Sequence, residues 1–350
     1  MIKLRYKGIF GGIAAIIVLS GFLSEPRALL IGASRGLLLC SEVIIPSLFP
    51  FAVITLFLFS CGFTDYVKKA IERPAKAFFG LSGEALLIML FSFIGGFPVG
   101  ARLIDKCYTE GKISEKTAKR MLCYSVNPGP AFVIIGIGQT MMGNSKIGVI
   151  LFASGILASL TIALVFSVYE KKESFKEAKS ARQSIRLSDT FVNSVFDASY
   201  SIIAICGFVI LFSAIIGVIS HFSESEITKA LLATLEISNG VSLFPRNIAF
   251  LAFLISFSGF CIHFQILSVT KNISVSYKNL FVSRIICGFL SLIYSRVLLN
   301  IFKVEEPTLA LNSELFGSLA VVSFPLSAAL IFMAITLLAS VRQNFVEKRR

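Results

Sequence analysis

The sequence predicts an all-α polytopic membrane protein built as an inverted repeat with re-entrant or broken helices, and three observations point to that class. Hydrophobic residues fill 55% of the 350 positions and charged residues only 15%, whereas a water-soluble domain carries roughly a quarter charged residues. Long apolar runs at 147–168, 202–220, 280–302 and 316–339 reach the roughly 17 to 25 residues that a helix needs to cross the hydrocarbon core. Two shorter apolar runs end in strings that do not continue a regular helix: Gly95, Gly96, Phe97, Pro98, Val99, Gly100, and Ser256, Phe257, Ser258, Gly259. Backbone groups freed there at membrane depth must face protein or water, never lipid.

Composition narrows function as well. Lys and Arg outnumber Asp and Glu by 33 to 20, but the excess sits in short loops and tails beside apolar runs, as retention of positive charge on the cytoplasmic side requires. No basic stripe with interleaved aromatics is present, so nucleic acid is not an expected partner. The seven cysteines (Cys40, Cys61, Cys107, Cys123, Cys206, Cys261, Cys287) show no CxxC spacing and read as small buried side chains. With only His221 and His263 as imidazoles, neither a metal site nor a cofactor is expected. GxSxG, HExxH, Walker A and GxGxxG settings are absent, so the chain is not expected to be an enzyme.

Taken in order, Lys3, Arg5 and Lys7 precede an apolar stretch at 9–22, and Leu23, Ser24, Glu25, Pro26 follow without an A-x-A-like cleavage site, which predicts a retained first helix. Segment 26–39, with Arg27 and Arg35, reads as a short interfacial helix. The run 37–63 is long and apolar but holds Pro46 and Pro50, and a basic loop with Lys68, Lys69, Arg73 and Lys76 follows. The run 85–96 would cover only about 18 Å as a helix, well under a core of roughly 30 Å. Segment 102–120 beyond it is again basic. Basic charge on both sides of so short a run predicts a re-entrant hairpin entering and leaving by one face. Residues 121–138 then cross, interrupted by Asn127, Pro128, Gly129 and Pro130, and 147–168 returns. A connector at 170–186 carries six Lys or Arg against three Glu.

Beyond the connector the order of parts is similar. An apolar helix at 191–220 is followed by an amphipathic piece at 228–241, a short apolar run at 248–259 ending at glycine, and a crossing at 280–302. Setting Gly96 on Gly259 aligns the two short runs, and the pairs Ile113-Ser114 and Ile273-Ser274 then follow at nearly equal distance. Halves of this kind, separated by one crossing, have opposite orientation, which is the plan of secondary transporters with a substrate site near the midplane. The expected division is 1–36 for an N-terminal transmembrane helix and interfacial segment, 37–168 for the first repeat, 169–190 for a charged linker, 191–302 for the second repeat, and 303–350 for a C-terminal transmembrane helix and basic tail. With the amino terminus inside, this count leaves the basic tail at 342–350 outside, against the positive-inside tendency. Either one hairpin is a full crossing or the last helix lies elsewhere.

The interruptions are the candidate site. Gly95, Gly96, Pro98 and Gly100 end one helix, and a helix resuming near Gly100 presents unpaired N–H groups and a positive dipole end to an anion; a packing kink that lets helices approach closely is the competing reading. The same alternatives hold for Asn127 with Gly129, and for Ser258 with Gly259. Arg102 beside the first break is a candidate to compensate a carboxylate, with Gln265 at the matching place in the second half. His263 is a candidate to bind or titrate, and Glu236 and Asn239 to add a polar contact. For each of these, helix pairing is the alternative role. Together they predict a small-molecule anion as substrate and the lipid bilayer as surroundings, and they leave a homo-oligomer open.

Five strings carry a family resemblance. Ile45-Pro46-Ser47-Leu48-Phe49-Pro50-Phe51, Gly95-Gly96-Phe97-Pro98-Val99-Gly100-Ala101, Asn127-Pro128-Gly129-Pro130, Leu235-Glu236-Ile237-Ser238-Asn239-Gly240 and Ser258-Gly259-Phe260-Cys261-Ile262-His263-Phe264-Gln265 resemble, in order and spacing, the YlbJ (SpoVV) family of sporulation integral membrane proteins. They also resemble the two gate, or nucleoside-recognition, domains shared with nucleoside transporters and with the membrane part of ferrous iron transporters. The similarity covers about residues 37 to 301. It implies two gate domains and transport of dipicolinic acid, a small aromatic dianion, from the mother cell across the outer forespore membrane during sporulation. It equally implies a multi-pass protein of that cell membrane. A nucleoside or related solute carrier, and a non-transporting membrane scaffold for spore envelope assembly, are the alternatives.

Overall fold

A computed structural model describes residues 2–169, 186–223 and 225–304. Among these residues the chain is helical, with no strand. The linker core at 170–185, the apolar run at 316–339 and the basic tail at 342–350 lie outside the described residues.

Helix α1 (Ile2–Ser24) is followed after Glu25 by α2 (Pro26–Leu38), which opens on a proline whose missing N–H is not needed in a first turn. A π-helical turn, Leu39–Ile44, joins α2 to α3 (Ile45–Ser60). The Ile45 N–H reaches back five residues to the Cys40 carbonyl there, just ahead of Pro46, and the wider turn accommodates the missing proline donor. The whole of Pro26–Ser60 is thereby one apolar helix of 35 residues.

Segment 26–39 is therefore not a separate interfacial helix. It packs along α9 (Leu187–Phe222) because Gly32 and Gly36, four apart, put two missing side chains on one face. A Cβ at Gly32 would run into the Ser213 carbonyl, one at Gly36 would lie 2.8 Å from the Ile210 Cα, and one at Gly217 would lie 2.7 Å from the Ala28 carbonyl. The two backbones touch, and the arginines were a poor guide to where this stretch sits.

Helix α4 (Phe63–Pro74) and the π-helical turn Ala75–Phe79 bend by 87° into α5 (Gly83–Gly95), whose first turn Ser82 caps by accepting from the Ala85 N–H. At Gly96 the backbone takes φ +83°, a left-handed value that glycine adopts without strain, and α6 (Phe97–Thr109) folds back along α5. A Cβ at Gly100 would sit 2.7 Å from the Ser92 side chain. The expected short hairpin is present in this geometry, its arms about 20 Å long at 13 residues each.

Helix α7 (Glu115–Tyr124) begins at the Ser114 cap and gives way to non-helical backbone at 125–129. A π-helix, Ala131–Met141, then leads to α8 (Ser145–Tyr169). After α9 come α10 (Glu226–Ala233), α11 (Ile237–Leu243), α12 (Ile248–Phe257), α13 (Gly259–Val269) and α14 (Tyr277–Phe302). Unlike α5 and α6, helices α12 and α13 do not fold back. They run on through Ser258 as an apolar stretch of 22 residues, so Gly96 and Gly259 are not equivalent turns. Ser258 keeps its N–H on the Leu254 carbonyl, and the next free donors find acceptors at the end of α10, which holds the two helices in line.

Five of these helices, or six if the bent pair is one span, are long and apolar enough to cross a membrane. The protein is an all-α polytopic membrane protein. Long helices α8 and α14 pack together through small and hydroxyl side chains: Ser154 with Ser291 at 3.1 Å and Thr161 with Tyr294 at 2.8 Å. Val149, Leu164 and Val165 of α8, with Phe289, Ile293 and Val297 of α14, face outward as a lipid-facing surface would.

Candidate functional site

Two pairs of helix interruptions cross. In the first, backbone meets backbone: a Cβ at Gly129 would lie 2.8 Å from the Ile94 carbonyl and 3.2 Å from the Gly96 nitrogen. In the second, the start of α13 donates to the end of α10, Phe260 N–H to the Thr234 carbonyl at 2.9 Å and Cys261 N–H to the Leu235 carbonyl at 2.8 Å. A helix start would otherwise leave such donors without partners.

Both crossings border one narrow cleft of about 30 Å³. Gly96, Pro98 and Gly129 line it from the first crossing, and Glu236, Cys261 and Gln265 from the second. The remaining lining is mainly apolar and includes Ile44, Phe132 and Val209, so the few polar groups orient whatever enters. Glu236 is the acid of the cleft and also the cap of α11. Its carboxylate accepts from the Ser238 N–H at 3.0 Å, the Asn239 N–H at 2.7 Å and the Asn239 Nδ2 at 2.8 Å. Asn239 Nδ2 also donates to Ser213 Oγ of α9 at 2.8 Å. Gln265 spends Nε2 on the Cys261 sulfur at 3.2 Å, and its Oε1 has no partner.

The other residues singled out from the sequence are placed behind or away from the cleft. Gly95 packs against Thr55 and Val99, and Gly100 against Ser92. Ser258 takes φ +78°, its Oγ donating to the Ser256 carbonyl, and Gly259 abuts Thr234 and Leu235. Arg102 does not reach the cleft; its Nη1 pairs with Asp197 of α9 at 3.1 Å, where both side chains are partly exposed. His263 is buried in a nest of rings, with Phe257 at 5.1 Å, Phe260 at 5.9 Å, Phe281 at 6.0 Å and Tyr277 at 6.1 Å between centroids. Its Nε2 lies 3.0 Å from the Phe257 carbonyl and its Nδ1 has no partner. Asn127 is joined to a residue absent from the sequence-based candidates. Arg284 of α14 donates to Asn127 Oδ1 at 3.2 Å and to the Leu122 carbonyl at 3.2 Å. Its signal was present, since Arg284 is an ionisable residue inside the apolar run 280–302 and such residues mark function by default.

This arrangement belongs to a chain with a detectable relative. It is 24% identical over 322 aligned residues, 79% of each chain, to the sporulation integral membrane protein YlbJ of Bacillus subtilis (strain 168). The match supports the YlbJ family. No family model matches the sequence, and no solved structure matches it. The chain is thus a multi-pass membrane protein similar in sequence to a sporulation protein, and the five strings that carry the resemblance form the α3 entry, both crossings and most of the cleft's polar lining.

Proposed function

We propose that this YlbJ-type protein transports a small organic anion, with dipicolinic acid at the outer forespore membrane as the first candidate. The observation that carries the proposal is the meeting of four helix interruptions in one cleft among membrane-spanning helices. Broken helices at a shared midplane site are how secondary transporters expose a substrate to alternate sides. The order of parts supports an inverted repeat, with a different register from the alignment of Gly96 on Gly259. From α3 to α8 a long helix, two short helices, a break, two short helices, a second break, a short π-helix and a long helix follow in turn; from α9 to α14 the order is similar, with one short helix before the first break. In that register Gly96 corresponds to 234–236, and 125–129 to Ser258.

The test is uptake of labelled dipicolinate into vesicles containing the purified protein, against protein-free vesicles. Saturable uptake inhibited by other aromatic dicarboxylates is the expected result. Glu236 and Gln265 favour a second reading, a neutral polar solute held by hydrogen bonds, and saturable uptake of a labelled nucleoside with no uptake of dipicolinate would select it. Spore envelope defects on deletion that persist when dipicolinate is supplied externally would instead select a scaffold.

A further inference from the structure

Arg284 is a cation that the fold buries completely without giving it an anion. It lies seven residues, about 10 Å of helix, from the start of α14, at 0% exposure. Two of its nitrogens reach uncharged oxygens, Asn127 Oδ1 and the Leu122 carbonyl, and Nε has no partner. Among the described residues no Asp or Glu pairs with it. A buried guanidinium is ordinarily met by a carboxylate in a two-pronged contact, and an uncompensated charge among membrane helices is a costly feature to keep.

Asn127 connects that charge to the cleft. It is 1% exposed, its Nδ2 donates to the Tyr124 carbonyl at 2.8 Å, and it stands two residues before Gly129 in the non-helical stretch whose far end lines the cleft. Its amide oxygen occupies the guanidinium as a neutral stand-in for a carboxylate oxygen. Buried polar atoms without partners gather nearby along the chain: Ser125 Oγ, two residues before Asn127, and His263 Nδ1, whose ring touches Phe281 one turn before Arg284.

We propose that Arg284 is the residue that receives a carboxylate of the transported anion, the carboxylate replacing Asn127 Oδ1 on the guanidinium. This rests on the anion-transport reading above and assigns its charge selectivity to Arg284 rather than to Arg102, which Asp197 already neutralises.

The experiment follows thermal unfolding of the full-length protein in detergent with increasing dipicolinate, against chloride at equal ionic strength. Wild-type protein shows a saturable rise in melting temperature with dipicolinate. Arg284→Gln melts at the wild-type temperature or above, because an unpaired buried charge has been removed, yet its half-saturating concentration rises about tenfold or more. Arg102→Ala keeps the wild-type half-saturation. Asn127→Asp supplies a resident carboxylate, so it also loses the response. The assignment is overturned if Arg284→Gln responds with the wild-type half-saturation, or, where that variant does not fold, if Asn127→Asp responds fully. A wild-type protein that responds to no carboxylate overturns the anion reading and the assignment together, whereas with a responsive wild type the variants test Arg284 alone.

Discussion

Gly129 and Gly96 press together through backbone alone, and single methyl groups there have calculable consequences. In Gly129→Ala the new Cβ lies 2.8 Å from the Ile94 carbonyl, so one of two buried backbone segments has to move, at about 1–3 kcal/mol. Gly207→Ala is the internal contrast, since nothing lies within 4 Å of its Cβ position in α9 and a helical alanine gains about 0.5–1 kcal/mol over glycine. Thermal unfolding in detergent should lower the first variant by several degrees and leave the second unchanged or raised; equal behaviour would mean that the two backbones do not press together. At this scale the sequence was informative about glycine and proline, whose backbone limits are intrinsic. It was a poor guide to the charges, because Arg102 and Arg284 differ only in what the fold sets opposite them: Asp197 in one case, an amide and a carbonyl in the other.

Helix α2 shows what a spacing rule adds to a hydropathy reading. Arg27 and Arg35 suggested an interfacial position, but Gly32 and Gly36 make the face on which α9 lies. In lipid two helices gain little from burying apolar surface against each other, and close approach supplies the contact instead. Gly36→Val should therefore separate α2 from α9 and destabilise the protein by about 1–3 kcal/mol, read as a lower melting temperature; an unchanged value would mean that the helices do not meet there. Element types were legible where runs were long, as at 280–302. They were not legible at 248–269, where Ser258 and Gly259 looked like a fold-back. The carbonyls of Thr234 and Leu235, which keep α13 in line with α12, come from a segment with no local sequence signal.

Across the whole molecule, polar ties join the first half to the loop between α13 and α14, Glu115 with Ser274 among them. Asp105 of α6 accepts from the Asn272 N–H at 3.1 Å and from its Nδ2 at 2.8 Å, in the connection between α13 and α14. Asp105→Ala would leave those donors without their acceptor, at about 1–3 kcal/mol, and should speed amide exchange in 270–276; protection equal to wild type would show that the halves are held elsewhere. The sequence by itself determined that this is a helical membrane protein and where three of the four interruptions at the cleft fall, at Gly96, at 127–129 and at Ser258, because hydropathy and the backbone limits of glycine and proline act within a few residues. Only the tertiary structure decided which breaks meet, that Glu236 and Gln265 line the cleft while Arg102 does not, and that Arg284 is sealed beside Asn127. Those outcomes depend on contacts between residues far apart in sequence, from the 26 positions between Thr234 and Phe260 to the 157 that separate Asn127 from Arg284, and no local pattern encodes such a contact.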